Sequence, residues 1–411
     1  MNYAEISGER QYHFMQSCNF IREAGTSGER CAANLLEEAV RRLGLTPKTE
    51  AFLFDTCEAE CQDLEVTAPY SRTYPCAAVE NSGNTPAEGL EGPFFYAEEG
   101  DEISLLESRG KIVMLNSRVM PKICRKLTNA GAVGFLSICG TPLDSLEDQL
   151  PTGYDLRANG YEGIPGAVIH YRAAADLIER GASAVRLTVR QRKRTRESRN
   201  VSVRIEGTDR AEEILTLTAH YDSVPQGVGA YDNLAGAAIV MELCRYFSVY
   251  RPRRTMEFIW FGAEEKGLLG SRAYVKEHAD ELPRHRFNMN VDLAGQAIGG
   301  TVLGVTGSGE VERVLRPLLT AERLGCSFKN EIWSSDSNTF AWKGIPAMTM
   351  NRDGFGMHTR HDTLDLISAK SLERSASLLG CIAEYLSGSD SFPFARTIPE
   401  HMRRELETMM S

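Results

Sequence analysis

The chain has 411 residues, enough for two or three domains with cores of their own. Hydrophobic residues make up 42% and charged residues 25%, with 36 glycines and 16 prolines, a balance that excludes collagen, coiled coil or wholesale disorder. With 46 Lys+Arg against 56 Asp+Glu the formal net charge is −10, which argues against nucleic acid or an anionic membrane surface as partner and favours neutral, cationic or metallic ones.

No run approaches the roughly 18–20 apolar residues of a membrane span, so no membrane association is expected. The opening MNYAEISGERQYHF has neither a basic n-region nor an apolar h-region, and a cytoplasmic protein is expected unless a leader has been removed. Residues 27–43, SGERCAANLLEEAVRRL, put Ala32, Leu35, Leu36, Ala39, Val40 and Leu43 on one helical face, with Ser27 as N-cap and Gly44 past the end. A short strand is expected at 49–54, after which a Gly/Pro/Asn-rich stretch from about 70 to 100 opens a second unit. Between about 63 and 190, strand-like runs at 112–115, 133–136 and 167–169 alternate with short helical ones, and Val185, Leu187 and Val189 alternate with polar partners. A small α/β or mostly β unit fits. The basic run VRQRKRTRESR that follows has no interleaved aromatic residues and reads as a solvated strand end and linker. The ten cysteines are scattered, and even the closest spacing, C-x3-C at Cys57 and Cys61, reads as two free thiols.

From 200 onward the pattern is strand, loop, helix, repeated: a strand at 214–220, a helix at 234–247, a strand at 255–261 and a helix at 268–278. A last helix covers 368–386. Continuous apolar strands separated by helices predict a doubly wound sheet, whose ligand crevice lies at the carboxyl ends of its strands. The polar residues that matter fall at those ends: His220 and Asp222 in ILTLTAHYDS, Glu264 and Glu265 in FIWFGAEEKG, and Asp292 in FNMNVDLAG. Asp232 follows the Gly-rich loop QGVGAYDN, and His358 sits in GFGMHTRHDT after the apolar IPAMTM. Singly, each has an ordinary structural role, such as a hydrogen-bonded H-x-D pair or a carboxylate at a helix N-terminus. Their convergence on one edge of one sheet points instead to a metal site. Imidazoles and carboxylates without cysteine suit zinc, with cobalt or manganese as substitutes. The set is too large for one open tetrahedral site and fits two metals sharing a carboxylate. Glu264 beside Glu265 then supplies a group to carry a proton to the leaving amine. Serine and dinucleotide patterns fail: there is no G-x-S-x-G, and Asp232 stands where a dinucleotide loop needs glycine.

The motifs HYD (220–222), GAYDNLAG (229–236), WFGAEEKGLLGS (260–271), NVDLAG (290–295) and HTRHDT (358–363) resemble, in order, those of the M28 family of zinc peptidases. The early IREAGTSGERCAANLLEEAVRRLGL is similar to that family's first helix. The segment with GKIVMLN, NAGAVGFLSI and IPGAVIHYRAAADLIERG resembles the protease-associated (PA) domain inserted in some members. The resemblance implies an α/β zinc-exopeptidase fold with a mixed sheet, made of 1–62 and 191–411, and a PA-like insert at 63–190. It further implies that His220 and Asp292 bind one zinc, Glu265 and His358 the other, and Asp232 both. Glu264 is then the general base and acid, Asp222 orients His220, and the Asp232–Asn233 peptide is cis. His361 and Asp362 have weaker claims. The family often places an aromatic or His after the Asp of the loop SSDSNTFAWKGIP; here Ser337 follows Asp336, a departure that bears on any substrate role of this loop. The activity implied is that of an aminopeptidase acting on peptides, the alternatives being a carboxypeptidase, a glutaminyl cyclase, or a receptor-like protein without metals. Lys266, Arg352 and Arg360 are the basic residues near the set that a substrate carboxylate would use.

Overall fold

A computed structural model describes residues 1–144, 151, 153–156 and 163–410. The chain divides into two compact units, Met1–Leu53 with Glu197–Ser411, and Phe54–Arg196. These borders lie outside 63 and 190 because Lys48–Ala68 and Ala184–Ile205 are single unbroken strands, longer than their apolar patterns suggest.

The sheet of the first unit runs in the order Ser327–Lys329, Thr301–Thr306, Ala347–Arg352, His285–Val291, Arg210–His220, Arg254–Phe261, and then residues 201–205. The four strands from Ala347–Arg352 to Arg254–Phe261 are mutually parallel, and antiparallel neighbours flank them on both sides, so the sheet is mixed. Alternation along Arg254–Phe261 shows the double winding. Met256, Phe258 and Trp260 enter one core with the helices Ala235–Val249 and Ala369–Gly388, while Ile259 and Phe261 enter another with Tyr274 and Phe340. Every residue of this strand is buried, which is why it reads as a continuous apolar run.

The early helix spans Ser27–Arg42, and its cap is Thr26 rather than Ser27: the Thr26 hydroxyl accepts from the Glu29 amide. Gly44 follows at φ +76°, the left-handed exit expected past a helix end. Helices at Gly8–Ser17, Glu310–Ala321 and Glu400–Met410 escaped the sequence reading; each buries only three residues, too thin a stripe to stand out.

In the second unit Leu90–Tyr96, Ile112–Leu115, Gly134–Cys139 and Gly166–His170 form a parallel sheet, with helices Pro121–Asn129 and Tyr171–Glu179 between strands. The basic run is not a linker. It is strand, paired with the acidic stretch of Lys48–Ala68: Arg194 lies 3.0 Å from Glu58, Arg192 3.6 Å from Glu60, and the Thr195 hydroxyl donates to Asp55 at 2.9 Å. Cys57 and Cys61 are both free.

Candidate metal centre

Strand geometry delivers the site. His220 is the last residue of its strand, Glu264 and Glu265 follow Phe261, Asp292 follows Val291, and His358 lies in the loop after Arg352. Asp232 occupies a turn before the helix Ala235–Val249, with φ −120° where a helix would need about −60°, and its peptide to Asn233 is cis. Gly229, at φ +55°, permits this turn, since a Cβ there would meet the Asp232 carbonyl oxygen at 2.2 Å. Ala263, Leu293 and His358 also hold positive φ (+53°, +70° and +59°), a strain of about 1–3 kcal/mol each that surrounding contacts sustain around functional residues.

The side chains of all five expected ligands and Glu264 converge. His220 Nε2 lies 3.2 Å from Asp232 Oδ1, 3.5 Å from Asp292 Oδ1 and 4.0 Å from Glu264 Oε2. His358 Nε2 lies 3.0 Å from Asp232 Oδ2 and 3.1 Å from Glu265 Oε2. One oxygen of Asp232 thus faces each imidazole, and the donors form the groups His220–Asp232–Asp292 and Asp232–Glu265–His358, with a third, His220–Glu264–Glu265, overlapping both, each within 4.8 Å. His220 and Asp232 are buried, whereas the His358 side chain is 41% exposed and marks the open side.

Charge balance tests the fit to a cation. Among the described residues no Lys or Arg pairs with Asp232, Glu264 or Asp292, whose ion-pair partners are the imidazoles alone. Burial opposes charge on both histidines, yet the carboxylates overcome it: His220 is held well above its ordinary range, and His358 is raised to about 11 by Asp232 and Glu265. Burial pushes the Glu264 carboxyl well up, with Glu265 and Asp292 adding to the effect against His220. Burial also raises Glu265. Clustered nitrogen and oxygen donors with an excess of buried negative charge are what a pair of hard-to-borderline divalent cations neutralises.

Other side chains fix these donors. Asp222, fully buried, lies 3.5 Å from His220 Nδ1 and accepts from the amides of Glu264 (3.0 Å) and Glu265 (3.2 Å), so it holds two site segments at once. Asp362 accepts from the amides of Tyr231 (2.6 Å) and Asp232 (3.0 Å), whereas its neighbour His361 is exposed. Asp336 is buried, and that burial raises its carboxyl to about 7.

Several supporting residues were missed by sequence reasoning. The Ser335 hydroxyl donates to Asp292 Oδ2 at 2.6 Å and accepts from Asn290, whose carbonyl oxygen accepts from Thr218. The signal was present: Thr216 and Thr218 before His220, and Asn288 and Asn290 before Asp292, are polar at every second position of buried strands. Arg22, fully buried, donates to the carbonyls of Tyr221, Val228 and Gly229 and so braces the loop between His220 and Asp232. Glu29 accepts from the Ala263 amide and the Ser198 hydroxyl, and burial raises it to about 8. Arg352 is spent on structure: it is buried and its guanidinium donates to Gln296 O, Ala297 O and Thr301 Oγ1.

Comparison with known proteins agrees with this arrangement. Residues 200–382 match Peptidase family M28. Aminopeptidase YwaD of Bacillus subtilis (strain 168) is 30% identical over 278 residues, 67% of this chain and 58% of that protein, so the alignment spans little more than half of the relative. Carboxypeptidase Q of Homo sapiens is 25% identical over 330 residues, 74% of this chain and 68% of the relative. The structure of BSAP, a zinc aminopeptidase from Bacillus subtilis, superposes with a TM-score of 0.81 at 24% identity, covering 97% of this chain and 99% of that one, a likeness that establishes the fold.

Proposed function

Since residues 200–382 of this chain belong to Peptidase family M28, we propose that the protein is a metal-dependent aminopeptidase whose two zinc ions are held by His220 and Asp292, by Glu265 and His358, and by Asp232 between them. The observation that carries this reading is the division of the Asp232 oxygens, one toward each imidazole, within two adjoining donor groups. When bound, such a pair of cations acidifies water and stabilises charge developing on the scissile carbonyl.

The chain supplies the rest. Glu264 takes a proton from the attacking water and passes it to the departing amine, a task suited to a carboxyl whose pKa burial has raised. Asp222 fixes Glu264 and Glu265 through their amides while orienting His220. Asp362 and Ser335 hold Asp232 and Asp292. All these residues belong to the first unit, and we read the second as a PA-like insert that adds nothing to the metal shell.

Polarity follows from charge. A free N-terminal ammonium finds carboxylates at the rim. The buried Arg352 has its guanidinium committed to backbone and Thr301 and is not available to a C-terminal carboxylate. This weighs for the aminopeptidase reading of the YwaD relative over that of carboxypeptidase Q. The test uses one cleaved peptide in two blocked forms. N-terminal acetylation abolishes hydrolysis and C-terminal amidation changes it little; the reverse pattern overturns the assignment.

A further inference from the structure

A cavity in the same unit is lined by none of these site residues. It has a volume of about 580 Å³, and its lining combines the apolar Val275, Leu282 and Trp342 with the cationic Lys276, Lys343 and Arg396. Chain direction fixes its place. The segment 279–283 leads into the strand His285–Val291, and residues 342–343 precede the parallel strand Ala347–Arg352, so the cavity sits at the amino ends of strands whose carboxyl ends carry Asp292 and the His358 loop.

Its charge is opposite to that of the protein as a whole. The net charge is −10, yet none of the lining residues is acidic. Among the described residues, no carboxylate forms an ion pair with Lys276, Lys343 or Arg396, although Arg284, Arg286 and Arg404 are each paired with a glutamate. Arg396 donates to the Pro283 carbonyl at 3.3 Å, and burial together with Arg286 holds its pKa down. The Lys343 ammonium rests 3.6 Å from the centroid of the Trp342 ring, a cation–π contact worth about 0.5–1 kcal/mol at an exposed site and readily exchanged for a carboxylate. A fourth lining cation, Arg272, is engaged with the Met410 carbonyl and forms part of the wall.

A cleft within the ~300–1,000 Å³ range of small-molecule sites, with apolar side chains and unpaired cations together in its lining, selects a ligand with an apolar body and one acid group. We propose that this cavity binds a small aromatic carboxylate, its ring against Trp342, Val275 and Leu282 and its acid group on Lys276, Lys343 and Arg396. The site is independent of the peptidase reading, since none of its residues contributes to the metal centre.

The test is calorimetric titration of the whole protein with 2-naphthoate and, separately, with its neutral isostere 2-naphthamide. Single-site binding of the carboxylate is expected, with the amide at least about tenfold weaker. The double substitution Lys276→Glu with Lys343→Glu, at exposed positions that leave the core intact, should weaken 2-naphthoate by about tenfold or more, and Trp342→Ala should do the same. Absence of binding, equal affinity for the amide, or unchanged affinity in the Lys276→Glu/Lys343→Glu protein would each overturn the proposal. Should Trp342→Ala fail to fold, the paired lysine substitutions and the amide comparison still decide.

Discussion

Two charged clusters share the central sheet and solve the same electrostatic problem differently. At the carboxyl edge, Asp232, Glu264, Glu265 and Asp292 crowd around two imidazoles. Nearer the amino ends, Glu257 and Glu281 pair with Arg204 at 3.1 and 2.8 Å, and Glu281 also meets His278, which in turn meets Glu50 at 3.0 Å. The second cluster carries its own permanent cation, a guanidinium that stays charged at any pH of interest. Among the described residues, Asp232, Glu264 and Asp292 of the first meet only titratable ones. A cluster completed by arginine is scaffold, and one left short of fixed positive charge is built for a cation from solution.

The largest effect expected from breaking this contrast is catalytic. Glu264→Gln should keep both metals and lose about 10² to 10⁴ in turnover, the usual worth of general acid–base catalysis. Glu265→Gln should lose activity together with a metal, because a ligand is gone. Metal analysis beside steady-state kinetics separates the two, and near-normal turnover in the Glu264 variant would remove it from the mechanism.

The corresponding lesion in the self-neutralised cluster should be structural. Arg204→Met leaves Glu257, 3% exposed, without its partner, at a cost of about 3 kcal/mol. Denaturant unfolding should show that loss while kcat per folded molecule stays unchanged; a fall in kcat with full stability would mean the two clusters communicate.

Smaller, and opposite in sign, is the effect of supplying the missing charge. Zinc added to chelator-stripped protein should stabilise it by about 2.7 kcal/mol at a hundredfold excess over Kd. His220 and His358, the latter held at about 11, must shed protons to become ligands. Calorimetry in buffers of differing ionisation enthalpy should therefore register proton release at neutral pH. Binding without release would show neutral imidazoles beforehand and contradict the charge argument.

The contrast also sorts what was legible in the sequence. The carboxyl-edge cluster was readable because metal chemistry demands particular residue types, and doubly wound sheets put them at strand ends. Ser335 and Arg22 were not, since each acts on a partner distant in sequence, Arg22 on a carbonyl 199 residues away. The amino-end cluster was invisible for the same reason: nothing near Arg204 announces Glu281, 77 residues on. The unit borders were misplaced where strands are mostly exposed and carry little apolar alternation. The basic run was misread because its neutralising partners, Glu58 and Glu60, belong to another strand. In that case DTCEAECQDLE was itself a visible acidic counterpart.

The finest test concerns pH, and its sign comes from the His278–Glu50 pair. The hydrogen bond from His278, against the opposing effect of burial, holds the Glu50 carboxyl down at about 2 from an ordinary value of 4.5. Its stabilising contribution is therefore present above about pH 4.5 and disappears as pH falls toward 2. Glu50 in turn raises His278 above its ordinary 6.5, again against burial and with help from Glu281. That contribution is complete below about pH 6.5 and fades as pH climbs through the raised value. The pair thus stabilises fully only between about pH 4.5 and 6.5. Glu50 is 20% exposed, so solvent screens the interaction and about 1 kcal/mol is the scale to expect. His278→Gln keeps a hydrogen-bonding side chain but cannot carry the charge. Its Tm deficit relative to the parent protein should reach a few degrees near pH 5.5 and shrink progressively toward pH 9. A deficit independent of pH would mean that His278 is a neutral hydrogen-bonding partner, leaving Lys48 as the cation on Glu50 and Arg204 and Arg284 as those on Glu281.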